Sequence, residues 1–149
     1  VLFRSHGGSC TAMEWHQRSL NSLEGDDSFI SLAGSQIVLA PGIYQIEGSA
    51  PAFVSNQHQA RLVNAADGSN MIIGSTGFSH NSFPSLTYSN LMGEVVVSVT
   101  TNLQLLHVCT VSSPTVGFGY AASFGTPEVY TQLKVIRVGS APPPPPMDP

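Results

Sequence analysis

Charge is what this chain has least of. Only 9 % of its 149 residues are Asp, Glu, Lys or Arg, against roughly 25 % in an average soluble domain. Five Lys and Arg stand beside nine Asp and Glu, for a net charge of −4. That excludes the clustered cations which nucleic-acid binding requires. No apolar run approaches the ~18 residues of a membrane-spanning helix, so no membrane insertion is predicted. Cysteine is limited to Cys10 and Cys109. Two cysteines permit one disulfide, but spacing does not decide it. Cys109, inside an apolar strand pattern, reads as a small buried hydrophobe.

Catalytic and metal-binding patterns are also missing. The histidines His6, His16, His58, His80 and His107 form neither HxH nor HExxH, so no metal site is predicted. His107 reads as a hydrogen-bonded core residue, His58 and His80 as loop residues. There is no GxSxG nucleophile turn. The one carboxylate pair, Asp26 and Asp27, is adjacent, and neighbours on a strand point to opposite faces, whereas glycosidases hold two carboxylates across a cleft. The Gly-Phe-Gly at 117–119 is followed by no Lys-Ser/Thr and no helix; it reads as a bend where backbones come close. The chain is expected to be no enzyme and to carry no cofactor.

What is present is strand. Short apolar or alternating runs occupy 29–32, 36–39, 43–48, 59–64, 71–74, 94–100, 103–111, 117–123 and 128–138. Tyr44 and Ile46 share one face of their run, with Ile43, Gln45 and Glu47 on the other. The run 103–111 is apolar on both sides, as in a strand covered on both faces. Turn chemistry separates the runs at Pro41–Gly42 and in NAADGSN, 64–70. Residues 11–20 are the sole helical candidate and read equally as extended chain. The Ser-rich stretch 75–90 reads as a long loop with Phe78, Phe83 and Tyr88 scattered through it, and long loops are functional or mobile. Eight to ten short strands at regular spacing predict an all-β antiparallel sandwich or jelly roll. The domain is expected over 11–139. Residues 1–10 are left unassigned, and VLFRS at 1–5 resembles a translated sequencing adapter, which predicts a natural chain beginning upstream. The proline-rich tail, 140–149, reads as polyproline II.

Four segments carry a family resemblance: WHQRSLN (15–21), IVLAPGIYQIEGSAPAF (37–53), HQARLVNAADG (58–68) and LQLLHVCTVSSPTVGFGYAASFGTPEVYTQLKVIRV (103–138). In this order they resemble the C-terminal head domain of a phage tail-fibre or tail-collar family. The layout at 41–46, 61–68, 93–97 and 130–138 is similar to a C1q/TNF-like jelly roll. The resemblance implies a homotrimer whose last strand lies centrally in an inner sheet. Val129, Leu133 and Val135 would then face the core, and Tyr44, Tyr130 and Gln132 the partner chains. It also implies a non-catalytic receptor-binding head on the virion tail, attaching to a host-surface glycan or outer-membrane protein. His80, Asn81, Phe83 and Tyr88 are the contact candidates: rings, amides and hydroxyls together suit a sugar. The plainer reading of Phe83 and Tyr88 is that they pin the loop. Other readings are a structural trimerisation or virion-decoration domain, a secreted bacterial C1q-like adhesion module and, least favoured, a depolymerase with a site between subunits.

Overall fold

The computed structural model describes residues 5–143 and Pro146. Residues 1–4 of the adapter-like stretch and residues 144, 145 and 147–149 of the tail lie outside them. Nine antiparallel strands follow in chain order: β1 His16–Gln17, β2 Ile30–Ala33, β3 Gln36–Leu39, β4 Gly42–Phe53, β5 Asn56–Asn64, β6 Asn70–Ser79, β7 Leu86–Val97, β8 Thr101–Cys109 and β9 Gln132–Gly139. One sheet has the order β2-β3-β8-β5-β6. Its β1 takes over the edge of β8 at Leu106 and His107, beyond the point where β3 stops at Leu103. The second sheet has the order β7-β4-β9.

The two sheets form a β-sandwich because alternate residues of each are apolar. Ile37, Leu39, Leu62, Leu103 and Leu105 from the first pack against Tyr44, Ile46, Leu91, Val95 and Val97 from the second. Each large side chain so buried contributes about 1.5–3 kcal/mol. Local chemistry sets the corners. Gly34 and Ser35, both at positive φ, join β2 to β3 as a two-residue loop of the mirror-turn kind that suits strand twist. In the predicted turn at 64–70, Asn64 Oδ1 accepts from the Ala66 amide and Asp67 Oδ1 from the Ser69 amide.

The sandwich is closed on one side by serine. The edges β6 and β7 belong to different sheets, yet Ser89 Oγ donates to Ser75 O and accepts from the Ala60 amide, while Ser75 Oγ accepts from the Asn90 amide. Much of 75–90, expected as loop, is therefore strand, and only residues 80–85 connect β6 to β7. Its buried alternates are Ser79 and Ser89 rather than aliphatic residues, so apolar periodicity is lost there although the pleat continues.

On the other side, β9 is an edge strand that among the described residues pairs only with β4. This corrects the central position implied by the C1q/TNF-like resemblance. Leu133 and Val135 do pack on the core, but Val129 precedes the strand and is exposed. Residues 117–123 are not a strand: a turn spans 114–118, and Glu128 accepts from the Ala122 and Ser123 amides.

The N-terminal segment belongs to the domain. The Gly7 amide donates to Gly119 O, and Cys10 bridges Ser113 in a short antiparallel contact. Cys10 and Cys109 are disulfide-bonded across 99 residues of sequence, so Cys109 is no free core thiol. A Cβ on Gly7 would sit 2.4 Å from Phe118 O, which explains a glycine that local pattern left without meaning. Cross-linking so long a loop stabilises a fold by about 2–5 kcal/mol. Reduction, or Cys10→Ser with Cys109→Ser, is accordingly expected to lower Tm by roughly 5–20 °C. Thermal melts with and without reductant check this; coincident melts would refute it.

Candidate functional site

Three features stand apart from ordinary sandwich packing: an aromatic tip, an apolar outer face and a buried polar line. The tip is the connection 80–85 between β6 and β7. His80 Nδ1 accepts from the Ser82 and Phe83 amides, and Asn56 Oδ1 accepts from the Asn81 amide, so the tip is tied to itself and to β5. The His80 ring lies 5.0 Å from the Phe83 ring and 5.9 Å from the Phe78 ring. Phe83 is 76 % exposed, so it does not pin the loop from within. The structure brings the candidates His80, Asn81 and Phe83 together and places Phe78, from the end of β6, beside them. Tyr88 is not among them. It stands on β7 opposite Pro51 and is exposed.

Strand alternation places Tyr88 on the outer face of the second sheet. There Leu86, Tyr88, Met92 and Val96 of β7 and Ile136 and Val138 of β9 are all exposed, Met92 at 78 %. The register sets Met92, Glu47 and Lys134 in one row and Asn90, Ser49 and Gln132 in the next. A shallow depression of about 580 Å³ lies between these rows. Gln132 is exposed on this face. The other two interface candidates are corrected. Tyr44 is 0 % exposed; it shares the inward face with Ile46, and its hydroxyl donates to Ala40 O at 2.6 Å. Tyr130 is turned onto its own chain: its ring lies against Gly119 and its hydroxyl donates to Ser5 O.

The buried line was not foreseen, apart from His107. Arg18, next to β1, is 3 % exposed. Its NH1 donates to Pro51 O at 2.7 Å and to His107 Nδ1 at 2.9 Å, and its NH2 donates to Phe118 O at 3.0 Å. The guanidinium carbon sits 4.3 Å from the Phe118 ring centre, and the His107 ring stacks on the same phenyl. His107 Nε2 lies 2.9 Å from His58 Nδ1, and His58 Nε2 lies 2.7 Å from Thr87 Oγ1. His58, expected in a loop, is a buried residue of β5.

An arginine only donates, and that settles every proton in the line. His107 Nδ1 must accept, so its Nε2–H donates to His58 Nδ1, and His58 Nε2–H donates to Thr87 Oγ1. Spacing alone suggests a nucleophile, a base and an orienting group. The proton polarity is the reverse of that required, because His58 presents Thr87 with a hydrogen rather than a lone pair. Charge acts in the same direction. Burial, with Arg18 second, lowers the His58 pKa to about 4. Burial, then Arg18, His58 and His16, lowers the His107 pKa to about 2. Burial lowers the Arg18 pKa to about 9, which leaves it cationic at neutral pH. Among the described residues no group of three His, Cys, Asp or Glu is placed to hold a metal ion.

No protein-family model matches the chain, and no curated protein matches it.

The line makes stability depend on acid. Unfolded histidine takes up a proton near pH 6.5, whereas the folded pair stays neutral to about 4 and about 2. Stability is therefore insensitive to these groups above pH ~7 and falls as pH drops below ~6.5, by up to about 1.4 kcal/mol per pH unit for each histidine. Urea unfolding at pH 7.5, 6 and 5 is expected to show this decline. His107→Gln should roughly halve its slope, and an unchanged slope would refute the assignment.

Proposed function

We propose that this chain is a non-catalytic, trimeric receptor-binding head of the phage tail-fibre kind, built on a C1q/TNF-like jelly roll and carried on the virion tail. The observation that carries the reading is the aromatic tip. Three rings, Phe78, His80 and Phe83, are gathered at one end of the sandwich on a connection held by its own amide hydrogen bonds. Exposed rings fixed this way keep their contact area without an ordering cost on binding, and ring faces beside amides and hydroxyls suit a host-surface glycan. An outer-membrane protein is the alternative receptor. The reversed polarity of the Thr87–His58–His107 line favours binding over catalysis.

The outer face of the second sheet supports the trimer. Met92, Val96, Ile136 and Val138 stand exposed on it among Gln45, Glu47, Glu94, Gln132 and Lys134, and association of copies would cover these apolar side chains. The same surface favours the structural reading, in which the domain only trimerises a fibre. Three linked copies would also strengthen weak individual contacts.

Phe83→Ala and His80→Ala are expected to weaken attachment to host cells, or to glycans on an array, at least tenfold, with Tm unchanged because both side chains lie at the surface tip. Wild-type attachment by both would exclude the tip as the receptor site. Light scattering is expected to give three times the 15.7 kDa chain mass, and Met92→Glu to lower it; a monomeric wild type would refute the trimer.

A further inference from the structure

The buried line does more than satisfy Arg18. It ends on Thr87, the second residue of β7, and the His58 ring also lies against Gly77 of β6, where a Cβ would come within 2.5 Å of His58 Nε2. His58 therefore clamps both legs of the arch formed by β6, the connection 80–85 and β7. We propose that the Arg18–His107–His58–Thr87 line is an acid-operated latch on this arch, fixing the aromatic tip at neutral pH and releasing it in acid.

The chemistry of the line supplies the mechanism. Both nitrogens of both rings are in use. The one lone pair left to His58 is on Nδ1, and it accepts from His107. A proton arriving there replaces an attractive contact with two N–H groups facing each other. The one lone pair left to His107 is on Nδ1, and it accepts from Arg18, so a proton there opposes a guanidinium instead. Neither ring can be protonated without breaking the line.

Among the described residues the surroundings offer nothing to neutralise the new charge. The charged and titratable groups acting on the pair are Arg18 beside β1, His16 of β1 and the two histidines themselves. From β6, β7 and the turn at 114–118 the neighbours are Gly77, Thr87 and Phe118, none of them ionisable. Arg18 itself is held by two carbonyls and an imidazole. A protonated His58 is therefore driven toward water and leaves its seat between Gly77 and Thr87. The serine bonds of Ser75 and Ser89 still hold the middle of the arch, so opening is confined to its tip. The latch does not depend on what the tip binds.

Hydrogen–deuterium exchange of the full chain at pH 7 and pH 4, corrected for intrinsic exchange rates, tests the latch. Amides of 77–87 are expected to lose at least tenfold more protection at pH 4 than those of 36–46. In His58→Phe the selective loss should disappear. Thr87→Val, which removes the acceptor but little volume, should loosen 77–87 already at pH 7, and it keeps the test open should His58→Phe not fold. Protection unchanged at pH 4, lost equally over the whole chain, lost selectively even in His58→Phe, or unaltered at pH 7 in Thr87→Val would each overturn the proposal.

Discussion

A buried cation, Arg18, with no carboxylate partner among the described residues, organises this protein. Taking a guanidinium out of water is costly unless its donors are met. Here the donors of Arg18 are met by Pro51 O of β4, Phe118 O of the 114–118 turn and a ring nitrogen of His107 on β8. Those three partners belong to different parts of the fold. The residue that must be satisfied thus joins the second sheet, the first sheet and the turn before β9. The charge also dictates which tautomer each histidine adopts, and through them what Thr87 is offered. A neutral residue at position 18 would leave those choices open.

The same constraint explains the N-terminal strap. Arg18 reaches its site because the chain before it is held along the end of the sandwich by the Cys10–Cys109 disulfide, the short bridge to Ser113 and the Gly7 contact with Gly119. Phe118, presented by the turn, lies under both the guanidinium and the His107 ring. Disulfide, strap, turn and polar line form one cooperative end of the molecule. The aromatic tip hangs from that end through His58 and Thr87, and the apolar outer sheet face lies apart from it.

The two sides of the sandwich differ in how they are finished. On the β6–β7 side, serine hydroxyls substitute for a backbone ladder between the sheets. On the opposite side β9 remains an edge, bearing Lys134 and Arg137, and charged residues discourage indiscriminate pairing of edge strands. The outer face of β7, β4 and β9, where exposed apolar and charged side chains alternate, is the surface that association can cover.

Period-two alternation, the turn cluster at 64–70 and the low charge determined the fold class from sequence alone, and His107 was legible as a core histidine. These are local properties: a pleat shows in every second residue, and a turn shows in its own Asn, Asp and Gly. Which face is inward is not local. Tyr44 and Ile46 were correctly placed together, but only the opposing sheet decided that their side is the core. Arg18, His58 and the disulfide depend on partners 29 to 100 residues away, and nothing near Arg18 marks it as buried. The strand content of 75–90 was hidden because its inward positions are serine and glycine, whose burial depends on hydroxyl partners and close backbone approach rather than on side-chain hydrophobicity. Tertiary structure alone brought a cation, two histidines and a threonine into one line, because that line is made of contacts between strands that are distant in sequence.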